Sequence, residues 1–113
     1  MSLKQPNRYV ANAFYEKFDV YVGRGHNCVW GNHFTHRPSK MKDVITVATL
    51  EESLVRYRAW LNSRPALLAR VNELKGKILG CYCRPERGFQ GKLLCHAQIL
   101  AAIANGIKET EIV

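Results

Sequence analysis

TLEESLVRYRAWLNSRPALLARVNELKGKILGCYC, residues 49–83, is the stretch whose reading decides the fold. Thr49 followed three positions later by Glu52 forms a capping box, the signature of a helix start. Leu50, Leu54, Tyr57 and Leu61 then recur on one helical face, with Val55 beside them. Pro65 suits the first turn of a second helix, PALLARVNEL, and Gly76 ends it. Lys77–Cys83 (KILGCYC) reads as a strand. Two helices therefore deliver the chain to a strand. Beyond it, Leu93–Asn105 (LLCHAQILAAIAN) reads as a third helix, closed by Asn105-Gly106.

On the N-terminal side the pattern is extended. Tyr9–Ala13 is one candidate strand, and Phe18–Val22 (FDVYV), rich in β-branched and aromatic residues, is a better one. The second stops at Gly23-Arg24-Gly25. Gly25–Lys42 has no clean period and reads as a long structured loop, and Asp43–Ala48 as a further short strand. Strands, loop, two helices, strand, loop and helix predict one α/β or α+β domain over residues 1–113. One small three- or four-stranded sheet packed with about three helices is the expected architecture.

Composition bounds the partner. With 113 residues the chain has room for one core, and 47% hydrophobic residues suffice to build it. Seventeen Lys and Arg against nine Asp and Glu give a net charge of +8, which favours an anionic partner: nucleic acid, nucleotide or acidic protein. No apolar run approaches the roughly 20 residues that span a bilayer, and MSLKQPNRYV lacks the apolar core of a signal peptide. The expectation is no membrane partner and a cytoplasmic location. Cys28, Cys81, Cys83 and Cys95 accordingly read as reduced thiols, core residues or metal ligands, not disulfides.

Two segments carry chemistry. The first is Val20-Tyr21-Val22-Gly23-Arg24, followed by Trp30-Gly31-Asn32-His33-Phe34; the second is Leu79-Gly80-Cys81-Tyr82-Cys83, followed by Cys95-His96. With Tyr57-Arg58-Ala59-Trp60-Leu61 between them, they resemble domain of unknown function 4326, found in bacteria and their phages. That pattern runs V-Y-I-G-R, W-G-N-P-F, Y-R-x-W-L, G-C-W-C and C-H-G-D, so the resemblance covers about Tyr9 to Asn105. It implies a bacterial or phage accessory protein and brings no established activity. This chain departs from the pattern at His33, where the family has proline, and at Ala97-Gln98, where it has Gly-Asp. It also carries a longer, basic insert between Cys83 and Cys95. An aspartate acting as acid or base in relatives would be missing here, leaving binding without turnover.

If the strands before Gly23 and Cys83 are parallel neighbours, both motifs reach the sheet edge where open α/β sheets bind ligands. Gly23 and Gly31 would allow close backbone approach, Arg24 would supply charge, Trp30 would stack on a base, and Asn32 would hydrogen-bond it. Arg58 is a further possible contact. Cys83, Cys95 and His96 would form the other wall, beside a helix start suited to an anion. The expected ligand is a nucleotide or another phosphate-bearing small molecule. The structural alternative has Trp30 and Phe34 capping the sheet edge, and Arg24 paired with Glu16 or Asp19.

Two further chemistries attach to the same residues. Cys81 and Cys83, two apart on a strand, face one side and with Cys95 and His96 make a Cys3His zinc set. Alternatively Cys83, Cys95 and His96 are candidate catalytic residues, a thiol at a helix start being acidified. A zinc-stabilised, basic nucleic-acid-binding protein is the competing function. Trp30, Tyr82 and Phe89 would stack there amid Arg24, Arg84, Arg87 and Lys92.

Overall fold

The computed structural model describes residues 9–24, 28–36, 44–85 and 88–112. Gly25, Lys42, Asp43 and Arg87, named above, lie outside the described residues.

Three strands form the central sheet: β1 (Val10–Asn12), β2 (Val20–Tyr21) and β5 (Leu79–Cys81). Their order is β1-β5-β2, and both pairings are parallel, with Val10 and Val20 each opposite Leu79. The chain between β1 and β2 must return across β5 to start a second parallel strand. Phe18 lies on that return path, and its ring occupies the space a side chain at Gly80 would need. Gly80 is thus the floor on which the crossover rests.

The expected Asp43–Ala48 strand shortens to β4 (Ile45–Thr46) and does not join this sheet. It pairs in parallel with β3 (Phe34–Thr35), a strand inside the segment read as loop. A two-residue strand is too short to show alternation, so periodicity gave it no signal. The architecture is therefore a three-stranded sheet plus a separate two-stranded one, packed with three helices, within the α/β or α+β class.

Helix α1 (Leu50–Asn62) starts at the predicted cap, where Thr49 Oγ1 accepts from Glu52 N at 3.0 Å. Only half of the expected box forms, because Glu52 turns its carboxylate to Arg56, 3.0 Å away. Tyr57 and Leu61 are fully buried from this helix. The second predicted helix divides: α2 (Pro65–Arg70) gives way to a 3₁₀ turn over Val71–Leu74, which buries Val71 and Leu74. Helix α3 (His96–Asn105) begins three residues later than Leu93, since Cys95 is its cap. Gly106, at φ 67°, closes it as expected.

Among the residues of α3 only Ile103 and Asn105 escape full burial. Ala97, Ala101, Ala102 and Ala104 keep its surface thin, so the sheet, α1 and the 3₁₀ turn can all close on it. Ile112 comes back from the C-terminal segment to fill the remaining space, fully buried.

Candidate functional site

Because the sheet is parallel, β2 and β5 end at the same edge, and the chain beyond each carries one motif. A cavity of about 480 Å³ opens there. Arg24 and Asn32 from the first motif, and Cys83, Cys95 and His96 from the second, share its wall. Tyr82, Thr35 and His36 complete the polar lining, and Leu50, Ser53 and Leu54 of α1 supply a largely apolar side. The first turns of α1 and α3 both border the cavity, placing two positive helix-dipole ends beside it. The two motifs meet in one place.

Arg24 takes neither of the carboxylates considered for it. Its Nε donates to Asn32 O at 2.6 Å and its Nη2 to Phe34 O at 2.8 Å, so it fastens the 32–34 segment to the end of β2. Glu16 instead accepts from Asn12 N and Arg84, and Asp19 from Ile78 N. The partners of Arg24 are neutral carbonyls, so its charge stays uncompensated by them. A guanidinium has five N–H donors, and these two bonds leave three.

Asn32 is buried and equally committed. Its Oδ1 accepts from Phe34 N and its Nδ2 donates to Ser53 Oγ, both at 2.9 Å. Ser53 Oγ in turn donates to Phe34 O at 2.6 Å. Ser53 was not anticipated, although a signal was there. It stands in the apolar stripe between Leu50 and Leu54, where a polar residue on the buried face of a helix needs a partner. Gly31 has the role of close approach, though to backbone: a Cβ there would meet Gly23 O at 3.0 Å and Arg24 Cα at 3.2 Å. A Cβ at Gly23 would collide with the Tyr21 ring.

Two expected contacts are elsewhere. Trp30 is only 5% exposed and belongs to the core, with Tyr57 donating to its carbonyl at 2.8 Å and Arg70 over its ring. Arg58 faces a separate groove beside Leu93 and pairs with Glu109. Phe89, read as a stacking face, is fully buried, and Arg84 is buried against Glu16.

The second motif builds a sulfur cluster. The Sγ atoms of Cys81, Cys83 and Cys95 lie within 4.8 Å of one another, and Cys81 and Cys95 approach to 3.1 Å. Three of the four residues of the expected Cys3His set thus converge. His96 stands outside the cluster: its Nε2 lies 2.6 Å from Val22 O and its Nδ1 3.9 Å from Cys95 Sγ. A carbonyl only accepts, so Nε2 carries the proton and Nδ1 keeps its lone pair. Burial lowers the pKa of His96 and favours that neutral ring. The thiols divide one charge. Hydrogen bonds from Cys81 and Cys95 pull Cys83 well below the usual thiol range, helped by the positive charge of Arg24. The same bonds, with burial, push Cys95 up, and the bond to Cys83 pushes Cys81 up. Cys83 is the exposed member of the set and the one whose pKa is drawn down.

Position 98 has a different task from the one a family aspartate suggested. Gln98 Oε1 accepts from Leu94 N at 2.7 Å and Cys95 N at 2.9 Å, and Nε2 donates to Lys92 O at 2.8 Å. It closes the capping box of α3 and is fully buried, off the cavity wall. The model of the family described as domain of unknown function 4326 matches residues 7–106. The chain is a DUF4326 domain. No curated protein matches it. No solved structure matches it either. Within this DUF4326 chain the departure at Gln98 therefore falls on a helix cap, which a side-chain amide fills through both its ends. Among the described residues no helix is long and apolar enough to cross a membrane.

Proposed function

We propose that this DUF4326 domain binds a small phosphate-bearing ligand, a nucleotide or nucleotide-derived anion, in the cavity at the end of β2 and β5. The observation that carries the reading is Arg24: a cation held in place by two neutral carbonyls, its other three donors without a hydrogen bond among the described residues, on the wall of that cavity. The dipole ends of α1 and α3 favour the same sign of ligand. A bacterial or phage accessory role in the cytoplasm accords with it, since three adjacent thiols stay reduced in such a compartment.

The experiment is calorimetric titration with adenosine monophosphate, adenosine triphosphate and inorganic phosphate. Saturable binding that responds mildly to salt, and that Arg24→Gln abolishes while the protein keeps a cooperative melt, is the expected result. Because Arg24 also ties the 32–34 segment, Cys83→Ser serves as a second variant: it changes the wall and spares that tie. Absence of saturable binding to all three probes would refute the reading.

The sulfur cluster favours a second component, bound zinc. Tetrahedral zinc with bonds of about 2.3 Å holds sulfurs roughly 3.8 Å apart, a value between the 3.1 Å of Cys81 and Cys95 and the 4.8 Å within which all three thiols lie. Cys81, Cys83 and Cys95 would hold the ion, and zinc would supply a Lewis acid beside Arg24. Elemental analysis of the purified protein tests this. One zinc per chain, with chelation lowering the melting temperature, supports the site; metal-free protein that binds no added zinc excludes it.

A further inference from the structure

The central sheet buries one face and shows rings on the other. Ala11, Gly80 and Tyr21 stand opposite one another across the three strands, on the side where Phe18 crosses. Around them the rings form an unbroken series. Tyr15 lies 6.1 Å from Phe14, Phe14 4.3 Å from Tyr82, Tyr82 5.7 Å from Tyr21, and Tyr21 6.3 Å from Phe18, centroid to centroid. Phe14 is 72% exposed, Tyr15 79% and Tyr82 51%. A single exposed ring needs no explanation, but a contiguous exposed patch marks an interaction surface.

We propose that this strip, Tyr15-Phe14-Tyr82-Tyr21-Phe18, is a stacking surface for single-stranded nucleic acid. Three features choose that occupant. The rings are tilted by 47–59° to their neighbours, so they offer separate π faces like steps, not one flat wall for a protein side. Bases stack on such faces without regard to sequence. Charge is the second feature. The chain carries +8, and the two carboxylates beside the strip are engaged by the fold, Glu16 with Arg84 and Asp19 with Ile78 N. Arg24 is bonded to Tyr21 near one end of it, and Lys17 directly precedes Phe18 in the chain. A second copy of the chain would bring +8 against +8, whereas a phosphate backbone gains from the same field. The third is position. Tyr82 also lines the cavity, and Tyr21 Oη donates to Arg24 O at 2.5 Å, so the strip runs into the wall that carries Arg24. This surface goes beyond the cavity reading and stands whether or not the cavity takes a mononucleotide.

Fluorescence anisotropy of the full chain with labelled 12-nucleotide oligo(dT) and oligo(U) tests it. Binding should weaken steeply with salt, and duplex of equal length should bind less well. Phe14→Ala and Tyr82→Ala should each weaken single-strand binding roughly tenfold, with melting temperatures kept. Tyr15→Ala, at the most exposed ring, gives a further variant in which folding is not at stake. Mononucleotide affinity of Phe14→Ala and Tyr15→Ala should stay unchanged, which separates this surface from the cavity. Oligonucleotide binding that ignores all three substitutions would overturn the proposal. So would dimerisation, or binding to polyglutamate, that depends on the rings as strongly.

Discussion

Helices α1 and α3 both begin at the cavity, and each is capped by a side chain. Thr49 caps α1 in the open, through one bond to Glu52 N, while the Glu52 carboxylate is drawn off to Arg56. Cys95 caps α3 inside the protein. Its thiol lies 3.4 Å from Ala97 N, and Gln98 closes the box by accepting from both Leu94 N and Cys95 N. Water stands ready to replace a bond lost at Thr49. Nothing replaces one lost at Cys95, and the cap there is also a member of the sulfur cluster. The same local device is a convenience on the surface and a structural requirement in the interior.

The sharpest break of that comparison is Gln98→Ala. Removing the amide strands the buried N–H of Cys95, the part-buried N–H of Leu94 and the Lys92 carbonyl, so unfolding free energy should fall by roughly 2–5 kcal/mol in urea melts. A loss no larger than that of a surface cap would show that water reaches the start of α3.

Tyr57, buried on α1 and facing His96 across 5.0 Å, probes the seam between the two helices. Tyr57→Phe removes the bond to Trp30 O and should cost about 1–2 kcal/mol near neutral pH. Burial raises its hydroxyl pKa above the ordinary 10.0. The folded protein therefore keeps a proton that the unfolded chain releases above that pH. Stability from this group is complete below pH 10 and declines as pH rises beyond it. Tyr57→Phe should flatten that alkaline decline, and parallel slopes for both proteins would contradict the assignment.

Thr49→Ala should cost about 1 kcal/mol, the usual worth of an exposed N-cap. A cost equal to that of Gln98→Ala would erase the contrast between the two helix starts. Smallest of all is Arg58→Ala. Its partner Glu109 holds a half-exposed ion pair, for which about 0.5 kcal/mol is expected. Mononucleotide titration of this variant should match the parent, since Arg58 does not line the cavity.

What the sequence disclosed follows from period and punctuation. The apolar stripe from Leu50 to Leu61, the proline at 65 and the Asn105-Gly106 stop located all three helices, because each signal is local. The strand ends at Gly23 and Cys83 placed both motifs at one edge once the strands proved parallel. Partnership was less legible. Arg24 is anchored by the carbonyls of residues 32 and 34, and His96 by the carbonyl of Val22, bonds in which the partner side chain plays no part. No composition reveals them. Trp30 misled for a related reason: stacking on a base and packing in a core call for the same ring. The aromatic strip was hidden because its members come from three segments, and only the β1-β5-β2 order brings Phe14 beside Tyr82.

One consequence reaches past this molecule. At Gly31 the chain passes so near Gly23 and Arg24 that a single added methyl would lie 3.0 Å from one and 3.2 Å from the other. The Trp-Gly-Asn and Gly-Arg signatures, which look like separate words in the sequence, are two strands of one knot. Either can change only if the other yields, so their histories are tied. The contacts are with main chain, so no new side chain at 23 or 24 relieves them: a residue other than glycine at 31 is accommodated only where the backbone of 23–24 gives by a few tenths of an ångström.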